Sequence, residues 1–228
     1  EKAQRVPAWR EVARRIAHEV KNPLTPIQLS AQRLQKRYGS VLADEDAHVF
    51  KECTGMIVTQ VEELKRLVNE FSNFARMPAT NPVPSDIRKI ISEALNLYRE
   101  AHKDIEFIFV PPDDTPVFNL DPEQMKRVMI NLLDNAVEAA EGQGVVSVSL
   151  VYDSVLKMVT IEVIDNGTGI SAENKELLFE PYFSTKKQGT GLGLAIVNTI
   201  ITDHNGFIRV QNNKPKGTKF IIELPVRL

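Results

Sequence analysis

Two long runs in which apolar residues recur at steps of three and four constrain this chain more than anything else in it. The first is Ala13, Ile16, Val20, Leu24, Ile27, Ala31, Leu34 and Tyr38; the second is Phe50, Cys53, Ile57, Val61, Leu64, Val68, Phe71 and Ala75. That period predicts two α-helices, each with one apolar stripe. The first runs from about Pro7 to Tyr38 and stops near Gly39-Ser40, and the second is capped by Asp44 and reaches about Arg76. A break this short makes the pair an antiparallel hairpin. A two-helix hairpin cannot hide two stripes from water, so the economical solution is a four-helix bundle built from two copies of the chain. The expectation is a homodimer. The alternative is that the hairpin packs on the downstream part of its own chain.

His18 stands off the first stripe, about 200° around the helix from Ile16 and Val20, and so is expected to face water. Asn22 lies one turn on, on the same face. An exposed helical histidine is ordinarily a solvated surface residue, but here Glu19 is placed to accept from one ring nitrogen and leave the other as a nucleophile. Pro23 and Pro26 are unusual within a helix, because each removes a backbone donor. Either the helix kinks there, or Asn22 caps a new helix that begins at Pro23.

Met77 to Pro84 holds Pro78, Pro82 and Pro84 in a short polar stretch, which stops the helix and reads as a linker. This gives a first domain of residues 1–76, a linker of 77–84 and a second domain of 85–228. In the second, Ser85 or Asp86 caps a helix to about Ala101, Ile105 to Val110 is strand-like, and Asp121-Pro122-Glu123 opens a helix to about Glu141. Val145 to Val151 and Met158 to Ile164 form a hairpin, a helix runs from about Leu192 to His204, and Phe207 to Gln211 pairs with Lys219 to Leu224 around Lys216-Gly217. The result is an α/β sandwich of mixed sheet and helices. The whole is a multidomain chain, an all-α hairpin followed by an α/β domain.

Composition excludes several classes. Lys and Arg number 28 against 30 Asp and Glu, with no long basic run, so a nucleic-acid surface is not expected. One cysteine, Cys53, rules out an intrachain disulfide framework and fits a reducing compartment, where a thiol on an apolar helix face is most often core. No stretch approaches the length of a membrane span, and no signal peptide is visible. The chain begins at Glu1, so a fragment is expected, with any sensor or anchoring segment upstream.

Three constellations in the second domain carry chemistry. Asn131 and Asn135 lie one turn apart in Asn131-Leu132-Leu133-Asp134-Asn135, and two amide oxygens suit a hydrated Mg²⁺; alternatively they are helix-surface amides. Asp165-Asn166-Gly167-Thr168-Gly169 follows a strand directly, with glycines that let backbone approach a flat ligand and a carboxylate that would accept from an adenine amino group; alternatively it is simply a good turn. Gly189-Thr190-Gly191-Leu192-Gly193 opens a helix after Thr185-Lys186-Lys187, where backbone donors attract phosphate. No Lys-Ser or Lys-Thr follows those glycines and no strand precedes them, which excludes the Walker and dinucleotide patterns. Phe179 to Phe183 is aromatic and suits a lid over nucleotide, or an ordinary apolar loop.

The order of His18-Glu19-Val20-Lys21-Asn22-Pro23, Asn131 to Asn135, Asp165 to Gly169, Phe179 to Phe183 and Gly189 to Gly193 resembles the sensor histidine kinases of two-component signalling, over almost the whole chain. Ala8 to Arg15 and the short lid look most like the nitrogen-regulation (NtrY/NtrB-like) branch. The resemblance implies a dimeric four-helix bundle for dimerisation and histidine phosphotransfer, then an ATP-binding domain of the Bergerat (GHKL) fold. It makes His18 the phosphoacceptor, Glu19 the group that orients and deprotonates it, and Asn22 a residue tied to phosphatase activity. Asn135 becomes the Mg²⁺ ligand supported by Asn131; Asp165 would bind adenine; Gly167 and Gly169 shape the base pocket. Gly189, Thr190, Gly191, Leu192 and Gly193 surround the phosphates of ATP, with Lys186 a further phosphate contact. The phosphoryl then passes to an aspartate on the receiver domain of a response regulator. The implied setting is cytoplasmic, with no membrane contact by this fragment and a parent protein anchored in the inner membrane. Related ATPases carry a water-activating Glu one turn before the metal-binding Asn, where this chain has Asn131, which disfavours hydrolysis as the main function. A nucleotide-sensing dimeric scaffold is the other alternative.

Overall fold

The computed structural model describes residues 2–39, 41, 42, 44–75, 79–184 and 190–227, the side chains of 2–16, 18, 44, 45, 70, 71 and 73–75 excepted. The chain divides into two compact units, Glu1–Pro78 and Ala79–Leu228.

The first unit is the hairpin of α1 (Lys2–Tyr38) and α2 (Asp44–Ala75). The helix α1 runs unbroken through Pro23 and Pro26, so Asn22 is not the cap of a helix that starts at Pro23. A proline within a helix costs about 3 kcal/mol, and here buried residues on both sides of the prolines, Ala17, Leu24 and Ala31, hold one helical phase. These three recur every seven residues, with Lys21, Gln28 and Gln35 half-buried between them. On α2, Thr54, Val61 and Ser72 are buried, with Val58, Lys65 and Val68 half-buried. Gln28 Nε2 donates to Glu62 Oε1 at 2.9 Å, and Lys65 Nζ donates to Gln28 Oε1 at 2.6 Å.

The seam within one hairpin is therefore small and partly polar, and of the stripes expected from the sequence it buries Leu24, Ala31 and Val61. Val20, Ile27, Leu34 and Tyr38 on α1 and Met56, Ile57, Leu64 and Leu67 on α2 stay exposed, Ile27 at 46%. Cys53, expected in a core, is exposed as well. The reason is geometric: each helix carries enough apolar positions for two seams, and a single partner helix covers only one.

The second unit comprises β1 (Val83–Ser85), α3 (Ile87–Ala101), β2 (Ile105–Phe109), β3 (Phe118–Leu120), α4 (Pro122–Ala139), β4 (Gly144–Asp153), β5 (Met158–Asp165), α5 (Ala172–Leu177), α6 (Gly193–Asp203), β6 (Phe207–Asn212) and β7 (Thr218–Pro225). Five strands form a mixed sheet in the order β2-β4-β5-β7-β6, in which only β2 and β4 run parallel. Alternation along β5 buries Val159, Ile161, Val163 and Asp165. Ile87, Ile91 and Leu95 of α3, Met125, Met129, Leu132 and Leu133 of α4, and Ile200 and Ile201 of α6 are fully buried. Each such side chain contributes roughly 1.5–3 kcal/mol by its removal from water.

Helix starts follow their caps. Asp86 accepts from Arg88 N–H at 3.0 Å, and Asp121 accepts from Gln124 N–H at 3.1 Å ahead of Pro122. The linker expected over 77–84 ends earlier than that, because Val83 and Pro84 belong to β1, which pairs antiparallel with β3, Val83 opposite Leu120. A two-stranded ribbon tolerates Pro84, since a proline need only face away from the ladder. His204, at the end of α6, is buried; its Nε2 accepts from Asp121 N–H at 3.0 Å, and its Nδ1 donates to Ile200 O at 2.8 Å. That pattern assigns the neutral tautomer with the proton on Nδ1.

Candidate functional site

The site is organised along one face of α4. Asn131, Asn135 and Ala139 stand at i, i+4 and i+8, one above another, and span about 12 Å of helix. A different loop closes on each end of that stripe. At the first end, a Cβ on Gly193 would lie 2.7 Å from Asn131 Oδ1, so the first turn of α6 approaches the asparagine as closely as glycine permits. At the other, a Cβ on Gly167 would lie 2.3 Å from Ala139 O, and Thr168 N–H donates to the same carbonyl at 3.1 Å. Asn135, half-buried, sits midway.

Asn131 Nδ2 donates to Arg127 O at 2.8 Å, which turns Oδ1 toward Gly193. That leaves an oxygen, the donor type a hard cation takes, directed at the start of α6. Leu192 supplies no side-chain cap to α6, so no side-chain acceptor of its own meets the first-turn N–H groups there. Leu192 itself is buried, 1% exposed.

Asp165 closes β5 and is buried. Its Oδ1 accepts from Gly167 N–H at 2.9 Å and Thr218 N–H at 3.1 Å. Burial pushes its carboxyl above the usual carboxylate range, against the two backbone donors that favour the charged form. Gly217, read from the sequence only as turn material, and Asn213, which the sequence reading passed over, hold the backbone of Asp165. Gly217 (φ +117°) packs its backbone where a Cβ would lie 2.0 Å from Asp165 O, and Asn213 Nδ2 donates to that carbonyl at 2.9 Å. A glycine between two strands was the one available signal, and it is equally the signal of an ordinary hairpin.

The Phe179 to Phe183 segment meets the glycine-rich loop at its backbone. Tyr182 N–H donates to Gly191 O at 3.0 Å, and a Cβ on Gly191 (φ +68°) would lie 2.4 Å from the Tyr182 carbonyl carbon. Thr190 Oγ1 lies 3.5 Å from Leu192 N. Behind α4, the Tyr98 hydroxyl donates to Asp134 Oδ1 and reaches Ile130 O at 3.1 Å, joining α3 to the side of α4 away from the asparagine stripe. The structure thus brings Asn131, Gly167 and Gly193 to one face of α4 that also carries Asn135. Glu19 and Asn22 are exposed on α1, in the other unit. The His18 side chain, Lys186 and Gly189 lie outside the described residues.

A sandwich with one helix flanked by an acid-bearing turn and a glycine-opened helix defines a nucleotide-binding domain of the GHKL class. The Histidine kinase-, DNA gyrase B-, and HSP90-like ATPase family matches residues 120–228, and the His Kinase A (phospho-acceptor) domain matches residues 8–80. The chain is similar to the nitrogen regulation protein NtrY of Azorhizobium caulinodans, at 42% identity over 99% of this chain and 29% of that protein. It is similar to the structure of a mycobacterial sensor histidine kinase, MprB, at 32% identity and a TM-score of 0.58, over 64% of this chain and 99% of that one. The histidine kinase ThkA in complex with response regulator protein TrrA matches at 28% identity and a TM-score of 0.66, over 95% of this chain and 61% of that one. The chain belongs to the sensor histidine kinase family. It spans less than a third of the length of the Azorhizobium relative.

Proposed function

We propose that this chain is the kinase core of a sensor protein: it binds ATP along α4, transfers the γ-phosphoryl to His18, and passes it to an aspartate on the receiver domain of a response regulator. The observation that carries this reading is the face of α4, where Asn135 stands between the Asp165 turn and the start of α6, a spacing that suits a base at one end and phosphates at the other. On this reading Asp165 accepts from the adenine amino group, Gly167 and Gly169 admit the base, and Gly191, Thr190 and the first turn of α6 border the phosphates, with Lys186 and Gly189 completing that loop. Phe179 to Phe183, tied to Gly191, shields the nucleotide from water.

Asn135 and Asn131 would hold Mg²⁺ through their amide oxygens, and the donor set fits a cation that takes few protein ligands. When bound, Mg²⁺ neutralises charge on the phosphates. Among the described residues no group of three or more His, Cys, Asp or Glu offers another metal site. Catalysis by the protein is then mostly position: the nucleotide held in line, the His18 imidazole oriented by Glu19 and relieved of its proton, water kept out.

The exposed stripes of α1 and α2 support a homodimeric four-helix bundle, whose second seam would cover Val20, Ile27, Leu34 and Leu64. No described helix is long and apolar enough to cross a membrane. We place this core in the cytoplasm, with a hairpin domain of residues 1–76 and a nucleotide domain that takes in β1 ahead of residue 85, in a parent anchored in the inner membrane. The deciding experiment incubates the protein with Mg²⁺ and γ-labelled ATP and maps acid-labile phosphate. Label on His18, lost in His18→Gln while nucleotide binding survives, is the expected result; label confined to another residue would overturn the assignment.

A further inference from the structure

The stretch that enters the nucleotide domain is fastened before its first strand begins. Asn81 N–H donates to Asp121 Oδ2 at 3.0 Å, and Thr80 Oγ1 donates to Gln124 Oε1 at 3.2 Å. Both acceptors sit at the N-terminus of α4, the helix that carries Asn131 and Asn135. Asp121 is a shared node: its Oδ1 caps Gln124 N–H, and its own N–H donates to His204 Nε2 at the end of α6. The entering segment is thereby joined to both helices that border the nucleotide site, through one buried residue, Asp121, whose carboxylate serves α4 and whose backbone N–H serves α6.

These two bonds fix where the tether between the units ends. The described part of α2 reaches Ala75, so with Thr80 fastened at most residues 76–79 lie between; with it loose, the first paired residue is Val83 and at most residues 76–82 lie between. Four residues reach at most about 14 Å and seven about 25 Å, at roughly 3.6 Å each. We propose that Thr80 and Asn81 are a latch on Asp121 and Gln124 that sets the length of this tether, and so the reach of the nucleotide domain relative to the hairpin. Opening the latch is equivalent to inserting three residues. The latch is built to open without unfolding the domain, because Asp121 Oδ1 keeps its cap on Gln124, the His204 bond uses backbone, and β1 stays paired with β3. Asn81 is exposed and contributes its backbone donor, so any pull along α2 acts first on two part-buried hydrogen bonds rather than on the apolar core.

The test compares two variants of the full chain. Thr80→Val with Asn81→Pro removes both latch donors; a Gly-Ser-Gly insertion between Ala79 and Thr80 lengthens the tether and leaves the latch closed. Spin labels on the native Cys53 and on a Val155→Cys substitution, both at exposed positions, report the distance distribution between the units. The expected result is a distribution broadened at least twofold in both variants and to the same degree, with affinity for an adenine nucleotide within twofold of the parent. A latch-free chain whose distribution superimposes on the parent's, or one that loses nucleotide affinity, would overturn the latch. This readout needs no phosphoryl transfer, so it stands apart from the kinase reading on which the proposal's meaning rests. In the activity arm both variants change the rate of His18 labelling in the same direction by at least fivefold; opposite changes would overturn the equivalence.

Discussion

The amide oxygen of Asn131 occupies the space that any side chain at Gly193 would need, with only 2.7 Å from that oxygen to the position of a Cβ. A side chain at Gly193 therefore has to displace the Asn131 amide, which Nδ2 holds on Arg127 O.

Gly193→Ala forces this pair apart, at a cost of about 1–3 kcal/mol as for other overpacked sites. Nucleotide affinity is expected to fall at least tenfold and the melting temperature by several degrees. Asn131→Ala in the same chain removes the clash, so the double variant regains stability but not affinity. A Gly193→Ala chain with both properties unchanged would show that α6 moves away freely, and would remove the asparagine from the site.

Asp165 gives a prediction with a sign. Its folded carboxyl titrates above the unfolded value because burial opposes the charge. The stability it adds is therefore complete below about pH 3.9, the unfolded reference, and is lost as pH rises through the raised folded value. Asp165→Asn keeps the acceptor for Gly167 and Thr218 and carries no charge. Denaturant unfolding from pH 4 to pH 7 should show the variant gaining on the parent as pH rises, while affinity for an adenine nucleotide drops about 10–100-fold, the loss of one charged hydrogen bond. A stability difference flat across that range would contradict the burial argument.

What was legible in the sequence divides by range. Asp86 and Asp121 declared their helices because a cap is a local event, and alternation along Val159, Ile161 and Val163 declared a half-buried strand. The three-residue strands β1 and β3 were not legible, since neither holds a full alternation and their pairing joins residues far apart in the chain. Nor was α5, six residues with none buried and so no periodicity to read. In the hairpin, period alone merged two seams into one stripe: Leu24 and Ala31 are buried, Val20, Ile27 and Leu34 are exposed, and Ala17, buried beside the first two, was left out, although small residues are what lets two helices close. At the site, Gly167 and Gly217 face the backbone of other elements and Gly193 faces the side-chain oxygen of Asn131, approaches visible only in three dimensions.

Those two seams make the oligomeric state testable. Ile27→Glu with Leu34→Glu places charge on a face that the single hairpin leaves exposed, so helix content should persist. Sedimentation should then show a monomer where the parent sediments as a dimer, because buried unpaired carboxylates oppose the second seam. A parent that is itself monomeric, or a variant that stays dimeric, would exclude this face as the interface.

Glu19 and Asn22 separate two activities at His18. Both are exposed on an unbroken α1, so the amide of Asn22 is not spent on capping a helix at Pro23. Glu19 is ionisable and can take up the proton that the imidazole must lose to become a nucleophile; Asn22 cannot. Glu19→Ala should therefore slow His18 labelling by about 10²–10⁴-fold, the usual worth of a general base. Dephosphorylating the regulator's aspartate needs an oriented water instead, and a neutral amide one turn from His18 can hold that water without contributing charge. Asn22→Ala is expected to keep most of its labelling rate and to lose most of its activity on purified phospho-regulator. Since α1 already passes Pro23 and Pro26 as one helix, a purely structural role for Asn22 would lower both activities together, and helix content measured on the same sample would fall with them. Retention of full phosphatase activity in Asn22→Ala would end the assignment.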